Sequence, residues 1–280
     1  MDGIIIVNKP AGYTSHDIVN KLRRCLKTKK VGHAGTLDPD ATGVLVVCVN
    51  KATKVLQFLE SDTKEYECVL SLGVSTDTYD ASGEILETKE FMGLEDSTIQ
   101  TTFDGFLGAQ LQVPPIYSAI KVNGKKAYEY AREGKELVLE PRPIVIHSLE
   151  IKKIAGNEIT FQTLCSKGTY IRSLCVDLAK AMGYPGHMKQ LSRSQSGIFS
   201  LEDAYTLEEI EAGNFSFCTI EKALSHFPTM ILEDPTLAYH GKLIPSEKQE
   251  VTVIKDGDEK VVAVYGPSHP GYLKSIRGLW

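Results

Sequence analysis

The chain has 280 residues, 42% of them hydrophobic and 24% charged, which is typical of a globular protein. Its net charge of -5 argues against a non-specific nucleic-acid binder, and no apolar run reaches membrane-spanning length. The six cysteines are scattered without a Cys-x-x-Cys pair, which argues against a zinc site and favours a reducing compartment, the cytoplasm. The acidic start and the short apolar run after it lead us to expect no signal peptide.

The first predicted elements are a short strand at residues 4–7 and a basic helix. Ser15 is placed to cap this helix, which continues to about Lys27, and one of its faces is apolar. Between Ile18 and Leu37 every charged side chain is basic, which indicates a positively charged surface. A solvated helix face with no partner is the alternative interpretation.

The middle of the chain alternates between strands and helices. The continuous apolar run at residues 44–49 predicts a strand buried on both faces, and residues 53–59 predict a short helix. Residues 66–72 alternate in polarity as a half-buried strand does, and an acidic, turn-rich loop follows. Residues 95–106 predict a further helix. Asn123 and Gly124 predict a hairpin turn before a short helix.

The second half contains a strand pair, at residues 145–154 and 158–165, and the clearest helix, at residues 170–182. Thr169 is the expected N-cap of that helix, and Gly183 is its expected C-terminal stop. Arg172 falls in the first turn but off the apolar stripe, so it is free to face a site at the loop end of the helix.

Near residue 230 the pattern changes to short strands, at residues 250–254 and 260–265. We therefore expect a large domain at residues 1–229 and a small β-rich domain at residues 230–280. The mixture of strands, helices and hairpins predicts an α+β fold with a mixed, largely antiparallel sheet flanked by helices.

The stretch VGHAGTLDPDATGVLVV, residues 31–47, carries two carboxylates, Asp38 and Asp40, on a turn framed by glycines. DPDAT formally fits the Asp-x-Asp-x-Thr pattern of hydrolases that form an aspartyl-phosphate. In those enzymes an apolar strand precedes the first aspartate, whereas here the apolar strand follows it, which argues against that function. Taken alone, Asp38 before Pro39 is also typical of a plain Asx turn.

The wider sequence resembles the TruB family of tRNA pseudouridine-55 synthases. The resemblance rests on GHAGTLDPDATGVLVV and, in family order, on IIIVNKPAGYTSHDIV, ATKVLQFL, KEYECVLSLGVSTDTYDASGE, PPIYSAIKVNGKKAYEYAREG and CSKGTYIRSLCVDLA. It implies the catalytic fold of the pseudouridine synthases. The implied reaction flips a T-loop uridine of tRNA out of the stack and isomerises it to pseudouridine. It also implies catalysis without a cofactor or a metal. The C-terminal segment is similar to a short PUA-type RNA-binding domain.

The resemblance implies three catalytic residues. Asp38 is the expected catalytic carboxylate, which could attack the base, attack the sugar or remove a sugar proton. Arg172 matches the arginine that pairs with it, so we expect the two side chains to be adjacent. Tyr66 matches the tyrosine that stacks on the flipped base, although a core position is the alternative. Asp40 is expected to be exposed or turn-forming.

Five further residues are expected at the substrate. Tyr170 and Leu191 match residues that line the pocket, and a leucine is otherwise most often a core residue. His33 matches a side chain that enters the RNA, with a structural histidine as the alternative. Lys9 is expected to support the active-site loop, and Lys54 to contact the flipped nucleotide or its phosphate.

The expected partner is the T-arm of tRNA. The basic helix would contact phosphates, and the hairpin at Lys121, Lys125 and Lys126 resembles an insertion that closes over the T-loop. A non-enzymatic tRNA chaperone and a guide-RNA-dependent ribosomal RNA pseudouridine synthase are the alternatives. We expect a monomer in the cytoplasm, with no membrane and no protein partner.

Overall fold

The computed structural model describes residues 2–59, 63–135 and 137–280. The chain forms two compact units. The first comprises Met1–Pro39, Gly43–Ser61 and Ile198–Trp280, and the second comprises Asp40–Thr42 and Asp62–Gly197. The N-terminal and C-terminal segments therefore belong to the same unit, and the middle of the chain forms the other.

The helices and strands follow one another through both units. The strands are β1 (Gly3–Lys9), β2 (Val31–Ala34), β3 (Thr42–Val49), β4 (Lys64–Leu72), β5 (Val74–Thr76), β6 (Ile85–Thr88), β7 (Gly108–Gln112), β8 (Lys121–Val122), β9 (Lys125–Lys126), β10 (Arg142–Ala155), β11 (Glu158–Cys165), β12 (Gly186–Ser196), β13 (Phe199–Ser200), β14 (Thr229–Ile231), β15 (Ile244–Pro245), β16 (Thr252–Lys255), β17 (Val261–Pro267) and β18 (Tyr272–Gly278). The α-helices are α1 (Ser15–Cys25), α2 (Leu56–Leu59), α3 (Asp96–Asp104), α4 (Ala127–Arg132), α5 (Ile171–Ala181), α6 (Leu207–Glu211), α7 (Ile220–Ala223) and α8 (Thr236–Tyr239). Short 3₁₀ helices occur at Asn50–Val55 and Leu201–Asp203.

In the first unit β3 lies between β1 and β2 and pairs antiparallel with both. Every residue of β3 after Thr42 is buried, as the continuous apolar run predicts. Side chains from β1 and β3, such as Ile4, Ile6, Val44 and Val46, enter one hydrophobic core. These strands form the base from which the loop containing Asp38 projects.

Helix α1 begins one residue away from the predicted cap. Thr14, not Ser15, is the N-cap: its hydroxyl accepts a hydrogen bond from the backbone N–H of Asp17, and the Asp17 carboxylate accepts one from the backbone N–H of Thr14. Ser15 is instead the first helical residue, and its side chain is buried. The predicted cap was wrong because either hydroxyl fits the cap pattern, and only the backbone direction separates them.

The second unit is built on an antiparallel sheet of order β12-β4-β11-β10-β7. Helix α5 packs on one face of this sheet, where the sulfur atoms of Cys68 on β4 and Cys175 on α5 lie 3.5 Å apart. Helix α3 covers the same face, with the rings of Phe103 and Phe161 in edge-to-face contact at 5.5 Å. The predicted strand pair and the three predicted helices in this unit, α3, α4 and α5, are confirmed, with small shifts at their ends.

The sequence pattern did not predict strand β12. Most of its residues are polar, so neither an apolar run nor a clear alternation marks it. The strand nevertheless pairs with β4 along most of its length, and Arg193 within it is only 1% exposed. Gly186 at its start allows helix α5 to approach closely, because a Cβ there would lie 2.4 Å from the Cβ of Ala179.

The C-terminal strands form a five-stranded sheet of order β14-β16-β17-β18-β15. The two predicted strands correspond to β16 and β17, which pair antiparallel. Val253, Val261 and Val264 from this sheet enter the same core as Ile4 and other N-terminal side chains. The α+β fold with a small β-rich C-terminal part is thus confirmed, while the domain boundary between residues 229 and 230 stays a prediction. Over the described residues, no helix is long and apolar enough to cross a membrane.

Candidate active site

The loop that carries Asp38 connects β2 to β3, and Asp38 itself belongs to the first unit. It begins at Gly35, whose φ of 79° lies in the left-handed region that glycine tolerates best. Leu37 is buried, Asp38 is half-buried, and Pro39 and Asp40 are exposed. Asp40 therefore lies in an exposed turn, as expected, and the buried Leu37 anchors the loop immediately before Asp38.

Ser15 holds the backbone of the loop on the N-terminal side of Asp38. Its Oγ accepts a hydrogen bond from the backbone N–H of Leu37 at 2.9 Å and donates one to the carbonyl of Leu37 at 3.1 Å. Both bonds are buried, so water competes little with them. The peptide groups on both sides of Leu37 are fixed by one side chain of helix α1.

The carbonyl of Pro39 is held on the other side of Asp38. It accepts a hydrogen bond from Nζ of Lys9 at 2.9 Å and another from the backbone N–H of Gly12 at 3.0 Å. Lys9 is fully buried at 0% exposure, and its Nζ also donates to the carbonyl of Pro10 at 2.9 Å. Asp38 is thus flanked by two residues whose backbones are each fixed by two hydrogen bonds, which preorganises the carboxylate.

The second unit also holds a charged residue in place by hydrogen bonds to the backbone. This residue is Arg172, in the first turn of α5. It is only 7% exposed. Its Nη1 donates to the carbonyl of Thr78 at 3.1 Å and its Nη2 to the carbonyl of Tyr117 at 3.0 Å, while its Nε lies 3.9 Å from Oδ2 of Asp80. Burial of a guanidinium requires such partners, because an uncompensated charge in the interior is strongly destabilising.

Asp80 belongs to a tight turn within the acidic loop after β5. Its Oδ1 accepts hydrogen bonds from the hydroxyls of Thr78 and Ser82 and from the backbone N–H of Ser82. The other oxygen is left to face Arg172. Three donors on one oxygen fix the rotamer of Asp80, so the turn presents a carboxylate of fixed orientation to the guanidinium.

Two kinds of comparison relate this chain to known proteins: matches to two family domains, and relatives that align over its full length. TruB family pseudouridylate synthase (N terminal domain) matches residues 23–171, and tRNA pseudouridylate synthase B C-terminal domain matches residues 172–227. The chain is 42% identical to tRNA pseudouridine synthase B of Bacillus cereus (strain ATCC 10987 / NRS 248), over 100% of its length and 97% of the relative. Against the same enzyme of Bacillus velezensis, identity is 41%, over 100% and 98%.

The chain belongs to the TruB family. It is therefore a pseudouridine synthase, an RNA-modifying isomerase, as the sequence motifs indicate. The fold agrees: a chain in a crystal structure of a Cbf5-Nop10-Gar1 complex superposes with a TM-score of 0.79 at 24% identity, covering 99% of this chain and 85% of that one. An archaeal box H/ACA sRNP Nop10-Cbf5 complex gives a TM-score of 0.75 at 24% identity, covering 99% and 86%.

Tyr66 and Leu191, expected at the pocket of a TruB family enzyme, lie on one face of the second unit's sheet. Tyr66 on β4 pairs in register with Arg193 on β12, and Leu191 pairs with Cys68. Directly paired residues point to the same face, and Cys68 contacts helix α5, so Tyr66 and Leu191 lie on the face that α5 covers. Tyr66 is buried and Leu191 half-buried.

Tyr170 immediately precedes α5. Its backbone N–H donates to Oε1 of Gln112 at 2.8 Å, and Nε2 of Gln112 donates to its carbonyl at 3.0 Å. Tyr170, not Thr169, is the N-cap residue, and no side chain caps this helix, so the predicted cap was wrong. Thr169 is directed instead toward the carbonyl of Ser166.

His33 and Lys54 lie in the first unit. His33 is half-buried on β2, opposite Val47 of β3. Lys54 donates from Nζ to the backbone oxygen of Trp280 at 2.7 Å. The structure thus groups Lys9 with the Asp38 loop, and Tyr66, Tyr170, Arg172 and Leu191 within the second unit. The expected contact between Asp38 and Arg172, which belong to different units, stays a prediction.

Two surfaces carry the expected positive charge. At the end of α1 and just beyond it the exposed basic residues are Arg24, Lys27, Lys29 and Lys30. On the β8–β9 hairpin, Nζ of Lys125 lies 5.0 Å from the ring centre of Tyr130, and Lys126 lies over Tyr128 at 5.4 Å. Cations interleaved with aromatic rings are suited to phosphates and unstacked bases.

Several residues that shape the site were not predicted from the sequence. Asp80 has threonine and serine two positions to either side, a pattern that marks an Asx turn and could have singled it out. Tyr117 follows a pair of prolines, and its hydroxyl donates to Oδ2 of Asp77 at 3.1 Å. Burial and then this bond to Asp77 raise the pKa of Tyr117 above its ordinary value. Nothing local marks Gln112 or Arg193.

Proposed function

We propose that this TruB family member converts uridine 55 in the T-loop of tRNA to pseudouridine, with Asp38 as the catalytic carboxylate. The observation that carries the proposal is the clamp on both sides of Asp38, in a chain 42% identical over its full length to relatives named tRNA pseudouridine synthase B. A loop that needed only to turn would not require a buried lysine and a buried serine to fix its backbone.

The reaction is an isomerisation, so the heavy atoms and the overall composition of the uridine are unchanged, while the proton on C5 exchanges with solvent. The N1–C1′ bond breaks, the base rotates, and a C5–C1′ bond forms. The proton on C5 is then lost, and N1 ends with a proton. A carboxylate fixed at the nucleotide can serve as nucleophile or as base in this sequence. Because a stacked base cannot rotate, the nucleotide must first leave the helix stack, and Tyr66 offers a ring on which it can stack.

The remaining site residues receive supporting roles. Arg172 keeps the carboxylate of Asp38 ionised and oriented, and Tyr170 and Leu191 line the pocket. His33 enters the T-loop, Lys9 supports the Asp38 loop, and Lys54 contacts the nucleotide or its phosphate. The exposed basic residues after α1 and the β8–β9 hairpin bind the T-arm backbone, which positions the RNA without reading its sequence. The protein acts as a monomer in the cytoplasm.

Replacing Asp38 with asparagine tests the catalytic assignment. Asparagine keeps the shape of the side chain but is neither a nucleophile nor a base, so we expect turnover to fall by about 1,000-fold or more. Binding of tRNA should stay within a few-fold, since the phosphate contacts are unchanged. Turnover is measured as release of tritium from the C5 position of uridine in labelled, unmodified tRNA, and the product is mapped by position.

Asp40→Asn is the matched control, because Asp40 lies in the same turn but is exposed. It should leave turnover within about twofold, as expected of a surface substitution. Near-normal turnover in Asp38→Asn, or an equal loss in both variants, would show that Asp38 is not the catalytic carboxylate.

An isolated T-arm stem-loop separates the proposed substrate from the alternatives. We expect it to be modified at the position of uridine 55 with no added RNA, and a T-arm with cytidine there to give no product. A strict requirement for a guide RNA would favour the ribosomal RNA alternative. Refolding of tRNA without any pseudouridine would favour the chaperone.

A further inference from the structure

The segment from Gln112 to Tyr117 is attached to the start of helix α5 at successive points. The side chain of Gln112 brackets the backbone of Tyr170 with two hydrogen bonds. Further along, Oγ of Ser173 donates to the carbonyl of Val113 at 2.9 Å. The segment therefore runs along the first turn of the helix that carries Arg172, and its last attachment is Tyr117.

Tyr117 completes a closed ring of hydrogen bonds around Arg172. The guanidinium donates to the carbonyls of Tyr117 and Thr78, and the hydroxyl of Tyr117 donates to Asp77, the residue before Thr78. Asp77 is itself fixed, because its Oδ1 accepts the backbone N–H of Glu84 at 2.8 Å. Removing the Tyr117 hydroxyl opens this ring without removing any atom that touches Arg172.

Tyr117 is also the connection to the β8–β9 hairpin. The hairpin begins four residues later, and the intervening residues are tied to the start of α4: the N–H of Tyr128 donates to the carbonyl of Ser118 at 3.1 Å, and the N–H of Ala127 to that of Ile120 at 2.8 Å. The hairpin is thus joined by a short hydrogen-bonded segment to the residue whose carbonyl Arg172 contacts.

We propose that Tyr117 is a positioning residue that couples the β8–β9 hairpin to Arg172. Its hydroxyl bond to Asp77 keeps its carbonyl against the guanidinium, so that RNA seated on the hairpin finds Arg172 already oriented. This inference rests on the proposed function, because it takes the hairpin as an RNA contact and Arg172 as part of the active site. The role is separate from substrate binding, since the hydroxyl of Tyr117 is engaged within the protein.

Tyr117→Phe tests the coupling. Losing one hydrogen bond to a charged acceptor should lower kcat by about tenfold, while KM and the Kd for tRNA stay within about twofold. The values of kcat, KM and Kd are all measured with tritium-labelled tRNA, and thermal unfolding is followed in parallel. Tyr184→Phe is the matched control: its hydroxyl accepts the backbone N–H of Met92 at 3.3 Å in the same unit, and neither residue is a member of this ring. It should leave kcat unchanged.

A double-mutant cycle with Asp77→Ala identifies the route of the effect. If Tyr117 acts through Asp77, adding Tyr117→Phe to Asp77→Ala lowers kcat no further. An unchanged kcat in Tyr117→Phe, a loss confined to KM, or a full tenfold loss in the Asp77→Ala background each overturns the inference. An inactive wild-type enzyme in the same assay would instead contradict the proposed function, so the two failures are distinguishable.

Discussion

The Asp38 loop and the surroundings of Arg172 solve the same problem in opposite ways. Each holds one charged side chain in a fixed place. Around Asp38 the supporting atoms come from a single short stretch, Lys9 to Ser15, and they grip the backbone of Leu37 and Pro39. Around Arg172 the partners come from distant segments, at residues 78–80 and at Tyr117.

The direction of support also differs. The backbone on both sides of Asp38 is fixed by other groups, so its support is separable from its carboxylate. Arg172 is itself the donor that joins Thr78 to Tyr117, so its guanidinium both serves the proposed chemistry and holds two loops together. Substitutions that loosen the support of Asp38 should therefore lower activity more than stability, whereas substitution of Arg172 should lower both.

Among Arg172→Lys, Lys9→Met and Ser15→Ala, we expect Arg172→Lys to lower kcat the most. A lysine keeps the charge but cannot reach both carbonyls and Asp80 with one ammonium group. We expect kcat to fall by about 100-fold, as for a misplacement of about 1 Å in an active site. The unfolding temperature should fall as well, because at least one of the two part-buried carbonyls loses its donor. Kinetics with labelled tRNA and thermal unfolding measure the two losses.

Arg142→Lys is the control, because Arg142 is an exposed arginine in the same unit. It should change neither quantity. If Arg172→Lys lowered kcat while the unfolding temperature stayed at its wild-type value, the guanidinium would not hold the two loops together. Its role would then be limited to activity, and it would not differ from the support of Asp38 in its effect on stability.

Lys9→Met should produce an intermediate effect. Methionine fills a similar volume in the buried site but donates nothing to the carbonyls of Pro10 and Pro39. The N–H of Gly12 still reaches Pro39, so the loop is loosened and not released. We expect kcat to fall by about tenfold, the size of one hydrogen bond from a charged donor. Full activity in a folded Lys9→Met enzyme would show that the hydrogen bonds from Gly12 and Ser15 are enough to hold the Asp38 loop.

The Asp38 region was the more predictable of the two, for a physical reason. Its parts are close in sequence: a Lys-Pro pair, a capped helix start and a glycine-framed turn each leave a local pattern. The alternation at Tyr66 and the apolar stripe of α5 likewise reveal their own elements. What these patterns could not show is that Ser15 would bond Leu37 and not cap α1, because that depends on the direction of the chain at Thr14.

The surroundings of Arg172 depend on contacts between residues far apart in sequence, and no local pattern records them. Its position off the apolar stripe suggests a solvent-facing side chain, yet it is buried. The partner loops are polar and irregular, and β12 is too polar for its period to be read. Sequence resemblance supplies Arg172 as a candidate, and the residues around Asp80 mark a turn, but the contacts of Arg172 with Asp80 and Tyr117 become visible only in the folded chain.

Ser15→Ala should produce the smallest effect on activity and gives the sharpest separation of support from stability. Alanine removes both bonds to Leu37 and leaves Lys9, Gly12 and the cap at Thr14 in place. Both lost bonds are neutral and hold the backbone of Leu37, so we expect kcat to fall by about fivefold, with KM unchanged. Thr14→Ala is the comparison variant. It removes the helix cap, costs about 1 kcal/mol of folding free energy, and leaves the hydrogen bonds from Ser15 to Leu37 in place. The first variant should therefore lose more activity and the second more stability. If the two lose activity in proportion to their unfolding temperatures, the serine contributes only to folding, and the carboxylate of Asp38 owes its orientation to Pro39 alone.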